Sequence, residues 1–219
     1  MSSRQSPFIV PAEISVRDQI KRTARLLIAE RGVPNVKVRE IALAANQRNL
    51  GIVGYYFETK DKLVSEILID GADRIESRRL AYLAQLEARG EPITVEDAVS
   101  AIVTPSAAFS DEDALYGSQY SRFFQQLAVN DARFIDRTLE GRSNQGYQRC
   151  LAHLRTLTPH LDRATQSRRF LFLSTYVNSV LAAREAMLAD DLRAHPTWGS
   201  REMLEDIIRT AAALICTPV

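Results

Sequence analysis

Apolar residues return every three or four positions along almost the whole of this 219-residue chain, and almost nowhere do they alternate one by one as a half-buried strand requires. A 3.6-residue period that persists this far confines the chain to an all-α fold, each helix burying one stripe against its neighbours. Caps, glycines and prolines cut the pattern into about nine helices. Ser15 with Asp18 opens the first, whose apolar face carries Ile20, Ala24, Leu27 and Ile28 and which stops at Gly32, ahead of Pro34. Short helices follow over about 37–45 and about 50–56. Thr59 caps a long fourth helix that runs through Leu63, Ile67, Gly71, Ile75 and Arg78 to near Leu86. Thr94 with Asp97 opens a helix ending near Pro105, and Ser110 with Asp113 opens another that reaches about Val129. Spans of about 132–157, about 163–188 and about 201–215 complete the set, with breaks at Pro159 and at His195–Gly199.

The composition narrows the function classes. No apolar run is long enough to cross a bilayer, so no membrane partner is expected. Met1–Val10 lacks a basic segment followed by an apolar core, so the chain is read as a cytoplasmic protein without a leader. Cys150 and Cys216 are far apart and read as buried free thiols rather than a disulfide or metal site. The sequence holds no HExxH, paired-carboxylate motif, phosphate loop or nucleophile elbow, so no enzyme, cofactor or metal is expected. His153 and His160 are separated by Pro159, which ends a helix before they can share a face. Net charge is only +1, but residues 1–62 hold eleven Lys/Arg against six Asp/Glu, and the other 157 hold seventeen against twenty-one. A basic head on an acidic body suggests that the head meets a polyanion.

The head carries the clearest message. Three short helices precede residue 60, and the second and third are separated only by the polar stretch Asn46–Asn49. That tight corner is a helix-turn-helix, whose second helix enters the major groove of double-stranded DNA. The corner needs a residue that tolerates positive φ, a role for Asn46, and Asn49 suits the start of the third helix. Val53 and Phe57 stand four apart and bury against the first helix. Met1–Ile14, with Pro7, Pro11 and Arg4, reads as a flexible arm, residues 15–60 as the DNA-binding domain, and residues 61–219 as a helical body.

The stretch Val38-Arg39-Glu40-Ile41-Ala42, Ala45-Asn46-Gln47-Arg48-Asn49 and Val53-Gly54-Tyr55-Tyr56-Phe57-Glu58-Thr59-Lys60-Asp61-Lys62-Leu63 resembles the DNA-binding signature of the tetracycline-repressor (TetR) family. So does the first helix with its Ala29-Glu30-Arg31-Gly32 ending. Tyr-Tyr-Phe-x-x-Lys-x-x-Leu is the most specific part, and the likeness covers about residues 15–68. It implies a homodimeric, ligand-responsive regulator, with the last two helices dimerising and a small-molecule effector held in the body. The departures are Asn46 where glycine is usual, a turn one residue longer than the commonest form, Tyr56 where histidine is frequent, and Lys37 in place of a Ser/Thr cap. By this resemblance Arg39 touches bases, Lys37 and Lys60 touch phosphates, and Tyr55 and Tyr56 offer hydroxyls to phosphates. Gln47, Arg48 and Asn49 reach base edges or build the turn; Leu50 and Ile52 meet thymine methyls or pack.

In the body, Tyr120, Phe124, Tyr147 and Tyr176 are candidates to line an effector pocket, against a plain reading as core. Phe170, Leu173, Val177, Val180 and Leu181 form one apolar stripe near the C-terminus, and Leu204, Ile208, Ala211 and Ile215 another. They are read as the dimer interface; the alternative is the core of a single chain. Gly51 and Gly54 in the recognition helix favour a second function, a ligand-binding or interaction protein whose head has lost DNA binding.

Overall fold

The computed structural model describes residues 14–142, 144–190 and 192–218; most of the expected N-terminal arm, with Arg4, lies outside them. These residues form eleven α-helices and no strand: α1 (Val16–Arg31), α2 (Val38–Ala44), α3 (Ile52–Phe57), α4 (Lys60–Ala88), α5 (Val95–Glu112), α6 (Tyr120–Asn130), α7 (Ala132–Leu139), α8 (Gln145–Leu157), α9 (Arg163–Leu188), α10 (Pro196–Gly199) and α11 (Arg201–Cys216). Ser15, Thr59 and Thr94 each accept the backbone N–H three residues on, which satisfies one orphan donor at the starts of α1, α4 and α5. None of these helices is long and apolar enough to cross a membrane.

The body departs from the expected nine helices in three places. α5 does not stop near Pro105 but continues through it to Glu112. Val99, Ile102 and Val103 are buried before the proline and Ala107 and Phe109 after it, and that burial outweighs a proline penalty of about 3 kcal/mol. Ser110 is therefore inside a helix; Asp113 ends it, accepts from the Tyr116 N–H, and begins a turn that closes on Gln119 at φ 62° before α6. The span 132–157 divides into α7 and α8 at Gly141, φ 71°, where Arg142 leaves the helical path to pair with Asp73 on α4. The break at residues 195–199 contains the single turn α10.

Two apolar cores stack along the molecule. One lies among α1–α3, the first half of α4 and α6, and contains Ile20, Ile28, Ile41, Val53, Phe57, Leu63, Leu68 and Phe123. The other lies among the second half of α4 and α5, α8, α9 and α11. The second core holds the stripes expected to dimerise. Phe170, Leu173, Val177, Leu181, Ala211 and Ile215 are all buried within one chain, and Val180, Leu204 and Ile208 pack half-buried against them. The first six have almost no surface left for a partner and are corrected to core of the single chain, whereas Val180, Leu204 and Ile208 keep part of their surface. The exposed face of α9 is a different one, with Leu171 at 66 % and Phe172 at 59 % exposure beside exposed Thr175, Ser179 and Ala183. Cys150 is buried as expected; Cys216 is exposed.

Candidate nucleic-acid interface and body cavity

α2 and α3 form the corner on which the first site rests. α2 ends in a Schellman closure: the Gln47 N–H bonds the Ala42 carbonyl, the Asn46 N–H bonds the Leu43 carbonyl, and Asn46 sits at φ 54°. Asparagine thus does the work glycine usually does at such a corner. Asn49 Oδ1 accepts the Gly51 N–H, and Gln47 Nε2 donates to the Ala45 carbonyl, so both side chains build the turn. With no Ser/Thr before α2, Glu40 reaches back to the Lys37 N–H at 2.7 Å and takes Arg31 Nη1 at 3.1 Å. That backbone hydrogen bond, then Arg31, holds the Glu40 carboxyl below its ordinary range.

The head's basic residues divide into two groups. Arg17 and Lys21 pair with Glu66 and Asp70 on α4 and clamp α1 to it. Arg25, buried in α1, donates from Nε to the Ser118 carbonyl and from Nη2 to the Leu115 carbonyl. Burial pulls its guanidinium down to about 10. Arg31 holds Glu40, and Lys62 pairs with Glu58. Lys37, Arg39 and Arg48 are exposed and have no ion pair among the described residues. They stand at the start of α2 and in the turn before α3. Lys60 belongs to the first group: its ammonium donates to the carbonyls of Val33 and Val36 at 2.8 and 3.0 Å and pins the loop between α1 and α2. Two of its three N–H donors are thereby used.

α3 presents an almost bare face. Tyr55 is 79 % exposed, whereas Tyr56 is half-buried against the head core, edge-on to Tyr55 with centroids 5.1 Å apart. Ile52 also packs half-buried, and Leu50 is exposed. Val53 and Phe57 are buried, with Arg17 over the Phe57 ring. A Cβ at Gly54 would meet nothing within 4 Å, and at Gly51 only Asn49 Oδ1. Nothing inside the chain therefore asks for glycine at position 54.

A cavity of about 780 Å³ opens between α4, α5, α6, α7, α8 and α9. Tyr120, Phe124 and Tyr147 line it; Tyr176 does not, but packs half-buried on the second core. The Tyr120 hydroxyl donates to the Leu68 carbonyl, and its ring lies so close to α4 that a Cβ at Gly71 would stand 2.0 Å from it. Gly71 is thus fixed by that close approach. Glu76 and Arg79, both buried on α4, pair across one turn, and Glu76 also accepts the Gly146 N–H. Sequence periodicity marks these two only as helix positions and gives no sign that they face a cavity.

α6 connects cavity to head. Its Tyr120, Ser121 and Phe124 face the cavity, and its N-terminus is capped from α9 by Glu185, which accepts from the N–H groups of Ser121 and Arg122. Burial raises the Glu185 carboxyl above its ordinary range despite these bonds. The carbonyls that Arg25 holds lie in the turn just before α6.

No family model matches the chain, and no curated protein matches it in sequence. Solved structures do resemble it. AmtR of Mycobacterium smegmatis superposes at a TM-score of 0.53 with 15 % identity, over 96 % of this chain and 90 % of that one. SCO7518 of Streptomyces coelicolor A3(2), a candidate transcriptional regulator, gives 0.45 with 20 % identity over 92 % and 99 %. RolR in complex with resorcinol gives 0.41 with 23 % identity over 93 % and 94 %. The likeness to AmtR is one of fold.

Proposed function

We propose that this chain is a sequence-specific, DNA-binding transcription regulator that works as a homodimer in the cytoplasm and answers to a small molecule held in the body cavity. The observation that carries the reading is the set of exposed basic side chains, Lys37, Arg39 and Arg48, left without ion pairs around a helix-turn-helix corner. Arg17, Lys21, Arg25, Arg31 and Lys60 are internally engaged, and only Arg22, on α1, is likewise without an ion pair among the head's described residues. Groups in this position neutralise phosphates and read guanine edges. The bare Gly54 supports the same reading over a disused head. It costs helix stability by about 1 kcal/mol relative to alanine, no internal neighbour explains it, and close approach of a DNA backbone does.

Two heads on a twofold body meet successive major grooves when their centres lie about 34–36 Å apart or a further helical turn away. The exposed α9 face, with Leu171 and Phe172 flanked by small side chains, is the surface on which a second copy docks. A ligand against Tyr120 and Phe124 shifts α6, and α6 is bound to α4 through Leu68 and to α1 through the carbonyls on Arg25. If it favours a body in which the heads are wrongly spaced, it weakens DNA binding, and DNA weakens the ligand by the same factor. The test titrates the protein against a duplex from upstream of its own coding sequence and a scrambled duplex, at several salt concentrations. Tighter binding to the first is expected; equal affinity for both at every salt concentration overturns sequence-specific regulation.

A further inference from the structure

We propose that the cavity takes an uncharged, largely apolar ligand with a hydrogen-bond-accepting oxygen, such as a phenol or ketone on a ring scaffold, and that this oxygen sits on the Arg79 guanidinium. The proposal rests on reading the cavity as the effector site and adds the chemistry of what enters it.

Arg79 is 8 % exposed and lines the cavity. A guanidinium carries five N–H donors. Nη1 is engaged by Glu76, Nε is sealed in the wall without a partner, and Nη2 makes no hydrogen bond among the described residues, which leaves Nη2 as the donor for the cavity. A buried donor left unmade is costly, so a planar cation in this state favours an incoming oxygen. The charges decide what kind of oxygen. Arg79 is already neutralised by Glu76, whose other oxygen holds the Gly146 N–H, and Arg142 is neutralised by Asp73. At the mouth, Asp136 and Glu140 outnumber Arg137. An organic anion meets Glu76 beside its own binding group and a negative rim on the way in. An organic cation finds the buried Glu76 and the more exposed Asp73 both already paired. A neutral acceptor meets neither obstacle. The remaining wall is mainly hydrocarbon, from Ile75, Ile102, Phe124, Ile135, Val177 and Leu181, broken by the uncharged side chains of Ser106, Ser121, Ser174 and Asn178, and the Tyr147 ring lies under the guanidinium at 5.5 Å. A volume of about 780 Å³ accommodates a molecule of two or three rings.

The probes are 4-phenylphenol, biphenyl-4-carboxylate and 4-phenylbenzylammonium, which share one scaffold and differ in charge. Calorimetric titration into the full chain without DNA is expected to give the phenol at least about tenfold tighter binding than either ion. Arg79→Lys keeps a cation for Glu76 but removes the planar fork; it should melt with the wild type and bind the phenol about tenfold more weakly. Should that variant fail to fold, Phe124→Trp narrows the cavity and is expected to weaken phenol binding about tenfold, and unchanged affinity there overturns the placement of the ligand. Preference for either ion, unchanged affinity in Arg79→Lys, or no binding of the phenol at about 1 mM each overturns the proposal. None of these outcomes touches the DNA titration, so the regulator reading stands or falls separately.

Discussion

Lys60 and Arg39 stand in the first turns of α4 and α2, yet their side chains have opposite employment. The Lys60 ammonium is turned inward onto the carbonyls of Val33 and Val36, and Arg39 is free. Arg39→Ala should therefore leave the melting temperature unchanged while lowering affinity for the specific duplex by about 1–3 kcal/mol, and less on scrambled DNA. Equal loss on both duplexes would reduce Arg39 to a phosphate contact. Lys60→Ala should behave otherwise. It frees two carbonyls, loosens the loop ahead of α2, and lowers the melting temperature together with DNA affinity. The slope of log affinity against log salt should hardly move. A slope reduced by about 1.8 in a dimer, with melting intact, would instead make Lys60 a phosphate contact. The sequence placed Lys60 at the start of α4 correctly, because Thr59 is a local cap. It could not show where the ammonium goes, since Val33 and Val36 are more than twenty residues away in the chain.

At the level of elements, α3 is a helix of six residues held by two buried side chains, Val53 and Phe57, and weakened by a glycine that touches nothing. Gly54→Ala should stabilise the head by about 0.5–1 kcal/mol in chemical denaturation and still weaken DNA binding, because the new methyl stands on the face offered to the duplex. Stabilisation with undiminished DNA affinity would remove close approach as the reason for the glycine. The cap that α9 gives α6 has its own signature. Glu185 binds a proton more readily folded than unfolded, so its contribution is fully present below the ordinary carboxylate range and is lost as pH rises through the raised folded value. Glu185→Gln does not titrate. As pH rises above the ordinary carboxylate range, the wild type should lose stability relative to this variant and then level off once the folded carboxyl has ionised. A difference that is flat, or that runs the other way, means the two N–H bonds outweigh burial. Neither this cap nor the Arg25 bonds could be read from sequence, because each joins residues more than sixty apart. The corner at Asn46 and the caps at Ser15 and Thr94 were legible because each is settled within about four residues.

For the whole molecule, periodicity says which face of a helix is apolar and not what covers it. That is why the stripe of Leu173, Val177 and Leu181 reads equally well as an interface or a core; the helices packed on α9, chiefly α6 and α11 with α5, cover it. The dimer prediction moves accordingly to the other face of α9. Leu171→Glu with Phe172→Glu should convert dimer to monomer in a mass measurement and lower DNA affinity steeply, with helix content unchanged. The same substitution at Val177 should unfold the body. A wild-type chain that is monomeric at micromolar concentration would sink the twofold arrangement altogether. Arg25 carries one last consequence. Its side chain leaves α1 to complete a turn some ninety residues later, and the core around Ile20 and Phe57 continues into Phe123 and Leu127 of α6. The helix-turn-helix end is thus not a cartridge that can be exchanged at residue 60. A chimera that joins a foreign head to this body would orphan the carbonyls of Leu115 and Ser118 and bare part of α6. The head tolerates change only where its side chains face outward, so on the proposed reading a new specificity would come from substitutions at Arg39 or Arg48 in place rather than from a transplanted head.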